Sequence, residues 1–143
     1  MVVAALAVAG CGAGARDALS DTKWDLVYSD GCVGGFNFDE TGGYQHLYIC
    51  GLTNGSFGVT MDAGSYAAVG GMLYIAAEKA TCPTPSSVSA QYTVAGGALT
   101  IVTPNGVLVF ERNTSNGASF TGTIVYGCFD STGAFTPSPL IPI

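Results

Sequence analysis

The sequence predicts an all-β domain, an up-and-down antiparallel β-barrel of about eight to ten strands, with a β-sandwich as the alternative. Three observations lead there. Short apolar or alternating segments recur along the chain with turn residues between them. Twenty-one glycines punctuate the 143 residues, several of them in pairs or after asparagine, as tight hairpins require. No stretch carries the 3.6-residue apolar stripe of a helix. A chain of 143 residues fits one domain with a real core. Its composition, 48% hydrophobic and 10% charged, excludes a disordered chain, because enough apolar surface is present to offset chain entropy.

The candidate strands are 23–28, 34–39, 43–50, 56–62, 65–69, 72–78, 88–94, 98–103, 107–112 and 119–127. Thr41-Gly42-Gly43, Asn54-Gly55, Gly70-Gly71, Gly96-Gly97, Asn105-Gly106 and Asn116-Gly117 separate them. Several segments alternate: Phe57, Val59 and Met61 share a face, as do Val88, Ala90, Tyr92 and Val94. Leu99 with Ile101, Leu108 with Phe110, and Phe120 with Ile124 and Tyr126 continue the pattern. One face in and one face out, with short hairpins between, means sequential antiparallel neighbours. Closure hides the sheet edges. Residues 131–143, which end in "PSPLIPI", read as an irregular tail after a barrel domain at 23–130.

The net charge is −6, and the only basic residues, Arg16, Lys23, Lys79 and Arg112, do not cluster. Nucleic-acid binding and attraction of the folded part to an anionic membrane surface are therefore set aside.

Met1 to Gly10, "MVVAALAVAG", is apolar throughout, too short to span a bilayer and of the length of a secretory h-region. It ends Val8-Ala9-Gly10-Cys11. This resembles the lipobox of bacterial lipoproteins, in which the cysteine is acylated and becomes the mature N-terminus. The resemblance implies a signal peptide at 1–10, a lipid on Cys11 and a tether over 11–22, with the membrane as a partner through that lipid. It departs from the family pattern at Val8, where leucine is usual, and in having no basic residues ahead of the apolar run.

Removing Cys11 leaves Cys32, Cys50, Cys82 and Cys128, an even number that suggests two disulfides in an exported domain. In a ten-strand meander, Cys32 and Cys50 fall at one end and Cys82 and Cys128 at the other. Disulfide geometry then selects Cys32–Cys50 and Cys82–Cys128.

"TKWDLVY" at Thr22 to Tyr28 resembles the first strand of lipocalins, whose Gly-x-Trp motif would place its tryptophan at Trp24, with Thr22 in place of the glycine. The resemblance implies a basic residue late in the barrel over that indole, and Arg112, at the end of "VLVFER", stands in that place. "SYAAVGGMLYIAAEKATCP" and "QYTVAGGALTIVTPNGVLVFER" are similar to hairpins of bacterial lipocalin-like lipoprotein domains.

Chemistry is sparse. His46, the single histidine, shares a strand face with Tyr44 and Tyr48, a polar patch for a ligand. The competing and favoured reading is a strand whose other face, Leu47 and Ile49, fills the core. No metal-ligand spacing, catalytic triad or phosphate-binding loop is evident, and Asp39, Glu40, Asp62, Glu78 and Glu111 read as solvated acids near strand ends. The expected function is a lipid-anchored binding module of the cell envelope, without catalysis or cofactor, that holds a small apolar ligand. The alternative is a protein-interaction or inhibitor lipoprotein that acts on an envelope protein through its barrel loops.

Overall fold

A computed structural model describes residues 17–27, 30–114 and 122–143. The expected signal, Cys11 and most of the expected tether lie outside the described residues. Strands β1 (Thr22–Val27), β2 (Val33–Phe38), β3 (Gly43–Gly51), β4 (Phe57–Val69), β5 (Met72–Ala80), β6 (Ser87–Ala95), β7 (Ala98–Thr103) and β8 (Gly106–Arg112) pair in sequence order. Trp24 pairs with Arg112 across β1 and β8, which closes an eight-stranded antiparallel up-and-down barrel. Three further strands, β9 (Ile124–Phe129), β10 (Phe135–Pro137) and β11 (Ile141–Pro142), extend the sheet outside that ring.

Two expected strands, 56–62 and 65–69, form one strand of 13 residues. Asp62-Ala63-Gly64 is not a turn. The register against β5 shifts between Ala63 and Gly64, so the irregularity is a bulge. Gly64 is required there, because a Cβ on it would lie 2.0 Å from the Ala76 carbonyl oxygen. The merger removes one chain reversal. Cys82 therefore falls at the same end of the barrel as Cys32 and Cys50, not at the opposite end.

The expected pairing still holds, for another reason. Along β4, β9 pairs in parallel with Phe57–Val59, and β5 pairs antiparallel with residues from Asp62 onward. Both lie on the same side of β4. Cys82, just past β5, and Cys128, in β9, meet where one strand hands over to the other, and they are bonded. Cys32 and Cys50 are bonded across β2 and β3. Two disulfides fit an oxidising compartment rather than the cytosol.

The core runs along the barrel axis. Leu19, Trp24, Phe38, Leu99 and Phe110 are fully buried, joined by Tyr44, Leu73 and Ile101. Phe36 packs edge-on against Phe110, and Tyr66 edge-on against Phe38. Leu19, expected in the tether, plugs the end where β1 starts. The Asp17 carboxylate accepts the backbone N–H groups of Leu19 and Ser20, and it accepts the Tyr66 hydroxyl at 3.3 Å. The Trp24 indole N–H donates to the Thr22 hydroxyl at 2.6 Å, and that hydroxyl donates to the Leu19 carbonyl. The Arg112 guanidinium lies 5.5 Å from the Trp24 ring centroid, as the lipocalin resemblance implies.

The segment expected as an irregular tail carries β10 and β11. The β9–β10 hairpin repeats the β2–β3 hairpin: Phe38-Asp39-Glu40-Thr41-Gly42-Gly43-Tyr44 corresponds to Phe129-Asp130-Ser131-Thr132-Gly133-Ala134-Phe135. In each loop the aspartate accepts the threonine N–H and hydroxyl and a second backbone N–H four residues on. In each, the glycine adopts positive φ, 91° at Gly42 and 85° at Gly133.

Two outcomes are expected. Gly64→Ala overpacks the bulge and costs about 1–3 kcal/mol, read as a lower urea midpoint at unchanged m-value. Hydrogen bonds, first from Gly43 and Thr41 and from Thr132, hold the Asp39 and Asp130 carboxyls below their ordinary value. The stability they contribute is present above the unfolded-state value and is lost as pH falls through the lower folded-state values. The melting temperature of the Asp39→Asn/Asp130→Asn variant should therefore fall less steeply than wild type between about pH 5 and pH 2.

Candidate functional site

β3 alternates, so Tyr44, His46 and Tyr48 share one face, as the sequence indicates. That face points into the barrel. Tyr44 is buried in the core, and the His46 ring stacks on Phe36 with centroids 4.6 Å apart. The expectation that Leu47 and Ile49 fill the core is therefore reversed. They stand on the outer face, beside Met61 and Val59 in register. The alternation was read correctly, but a leucine and an isoleucine outweighed two tyrosines in deciding which face is inside. A barrel interior takes aromatic rings readily when their polar atoms find partners.

The partner is Asp62. Register places it opposite His46. The Tyr44 hydroxyl donates to Asp62 Oδ2 at 2.7 Å, and His46 Nδ1 pairs with Asp62 Oδ1 at 2.9 Å. Burial, then the hydrogen bond and charge of Asp62, push the Tyr44 phenol well above its ordinary value. Tyr44 is thus a neutral donor at all physiological pH. Asp62 was expected at a strand end; the merged β4 puts it mid-strand and faces it inward. The signal that could have found it is the matching period of two on both sides of Ala63-Gly64.

The same face continues upward to a second aromatic group. The Tyr48 ring meets Phe129 edge-on at 5.9 Å, and Phe129 packs on Phe135 at 4.8 Å. The Tyr48 hydroxyl donates to Asp30 at 3.0 Å. Two glycines make room for the phenylalanines: a Cβ on Gly58 would lie 2.9 Å from the Phe135 ring, and one on Gly127 would lie 2.6 Å from it. Beside this cluster runs an open groove of about 470 Å³ between the β3–β4 loop and the β9–β10 hairpin. Leu52, Val125, Phe129, Phe135 and Pro137 give it apolar walls, and Thr53, Asn54 and Ser56 form its polar rim. None of its lining residues is charged. Sequence reasoning missed this groove, because it depends on β9 and β10 reaching β4 from far along the chain.

The candidate residues therefore fall into two places. Trp24 and Arg112 belong to the closed lower end, a structural seal. Tyr44, His46 and Tyr48 form a line that climbs from the core toward the groove. Among the described residues, no group of three or more His, Cys, Asp or Glu side chains could hold a metal ion. No family model, curated protein or solved structure matches the chain.

Asp62→Ala should cost about 1–3 kcal/mol, because it leaves the buried Tyr44 hydroxyl without its acceptor. His46→Ala, at a ring 29% exposed, should cost less. Urea melts of the two variants give the order directly.

Proposed function

We propose that this protein is a lipid-anchored binding module of the bacterial cell envelope, of the lipocalin-like lipoprotein kind, that engages a partner protein through the loop end of its barrel. One observation carries the choice over an enclosed small ligand: the barrel axis is occupied by its own side chains, from Leu19 through Trp24, Phe38 and Phe110 to Leu99. A small barrel can fill its interior or hold a ligand there, and these buried side chains support the first option. The uncharged groove at the loop end supports a protein partner, since a desolvated apolar centre with a polar rim is how such contacts are built. The two disulfides support export. The Val8-Ala9-Gly10-Cys11 run supports anchoring through a lipid on Cys11. Binding, not catalysis, is the assigned role.

Expression of the whole gene in a bacterium, followed by the mass of the mature N-terminus, tests the anchor. A diacylated Cys11 is expected; a retained Met1 or a free Cys11 thiol sinks it. A photo-crosslinking residue at Leu52, in the native envelope, should yield a discrete protein adduct, and one at Tyr74, on the outer wall, should not. A stoichiometric small apolar molecule extracted from the purified protein would overturn the packed-interior reading.

A further inference from the structure

Ser138 to Ile143 carry the short strand β11, which lies on the edge of β5. β6 pairs with β5 only from Met72 to Ala76, and β5 runs on to Ala80. The vacant upper edge of β5 is taken by β11: Ile141 pairs with Ala80, Pro142 with Lys79, and the Ile143 N–H donates to the Glu78 carbonyl at 2.9 Å. Successive N–H groups on a strand point to opposite sides. With the Ile143 N–H on β5, the Pro142 nitrogen faces away, where a missing N–H costs nothing. This strand can pair along one edge only.

Its seat is held by main-chain bonds more than by burial. Leu140, Ile141 and Ile143 stay 38%, 50% and 55% exposed, and no side chain of the segment is charged. β10 and β11 run in opposite directions, because β10 opposes β9, β9 follows β4, and β11 opposes β5. The reversal is made in three residues, Ser138-Pro139-Leu140. A short reversing hinge and a strand whose seat is a generic sheet edge are the conditions for exchange between identical chains.

We propose that two copies of this chain associate by exchanging residues 138–143, each tail seating on the Glu78–Ala80 edge of the other copy. The occupant is fixed by what already lies on that edge: the same segment in the same register fits a second copy without any new contact being required. Exchange keeps every main-chain bond of the seat, and it offers a second copy the side chains of Leu140, Ile141 and Ile143, which stay exposed in the single chain.

The test uses the full chain carrying Cys11→Ser, so that all remaining native cysteines are in disulfides. One copy carries Lys79→Cys and a second, distinguished by mass, carries Pro142→Cys. They are mixed at high concentration and oxidised. Exchange is expected to give a disulfide-linked pair of unlike copies that reductant dissolves, with no like–like product. The double variant, with both cysteines in one chain, should give a linked dimer whose share rises with concentration. Deletion of 138–143 should abolish dimer in light scattering. A double variant linked only within single chains at every concentration overturns the proposal. So does absence of any 79–142 link, or a dimer that survives the deletion.

Discussion

β4 is longer than any strand beside it, and the rest of the molecule answers to that mismatch. β3 covers Phe57–Ser65 on one side, but β5 reaches only as far as Asp62 on the other. The uncovered stretch, Phe57–Val59, would leave a row of main-chain groups unpaired next to a buried Val59. β9 fills it in parallel, drawn from a part of the chain that has already left the barrel at Arg112. The bulge at Gly64, the Cys82–Cys128 bond and the aromatic groove all sit at this transition. The barrel itself is an ordinary meander of local hairpins; what is particular to this protein lies where β4 changes partner.

The two ends of the barrel are built on different principles. At the lower end the polar groups around the buried Leu19 and Trp24 are tied inward: Asp17 caps its own turn and receives Tyr66, and Thr22 relays between the Trp24 indole and the Leu19 carbonyl. Such closure costs little, since among the described residues each buried side-chain polar atom has a partner. At the upper end the polar groups sit beside apolar surface that stays open. Asp62 holds Tyr44 and His46 in place beneath Tyr48, and Phe129 and Phe135 lie on glycine backbone next to a groove without charge. Stapling by two disulfides fixes both flanks of that region, Cys50 beside Gly51 and Cys128 beside Phe129. A preorganised surface of this kind loses little side-chain freedom on contact with a partner.

Much of this was legible in the sequence, and the failures share a cause. Period-two alternation and Gly-Gly or Asn-Gly turns located β1 to β3 and β5 to β8 within a few residues, because those strands pair with their sequence neighbours. Trp24 and Arg112 were found through the lipocalin resemblance, and the register that brings the first and last barrel strands together puts them in contact. Ala63-Gly64 was read as a break between two strands; here Gly64 stands inside one continuous strand, opposite the bulge that Glu78 makes in β5. That single error hid Asp62 from the site and moved Cys82 to the wrong end. Proline-rich residues 137–143 were read as irregular, since proline cannot donate to a ladder. The rule holds only for the donor side that faces a partner.

That last point unifies the added strands. Ser138 donates to the Tyr126 carbonyl, so the neighbouring Pro137 nitrogen points away from β9, just as Pro142 points away from β5. β10 and β11 therefore pair inward, and each presents a proline nitrogen on its outer side. An exposed apolar edge normally invites uncontrolled pairing with other chains, and prolines at these positions block continued growth of the sheet. They leave the inward-facing bonds intact. The extension can thus carry exposed Ile124, Tyr126, Leu140 and Ile141 without templating a further strand. Contact with another molecule is limited to side-chain packing or to replacement of a strand already present. The first is the mode assigned to the loop-end groove, and the second is the mode assigned to the tail. The same backbone rule permits both and excludes open-ended sheet growth.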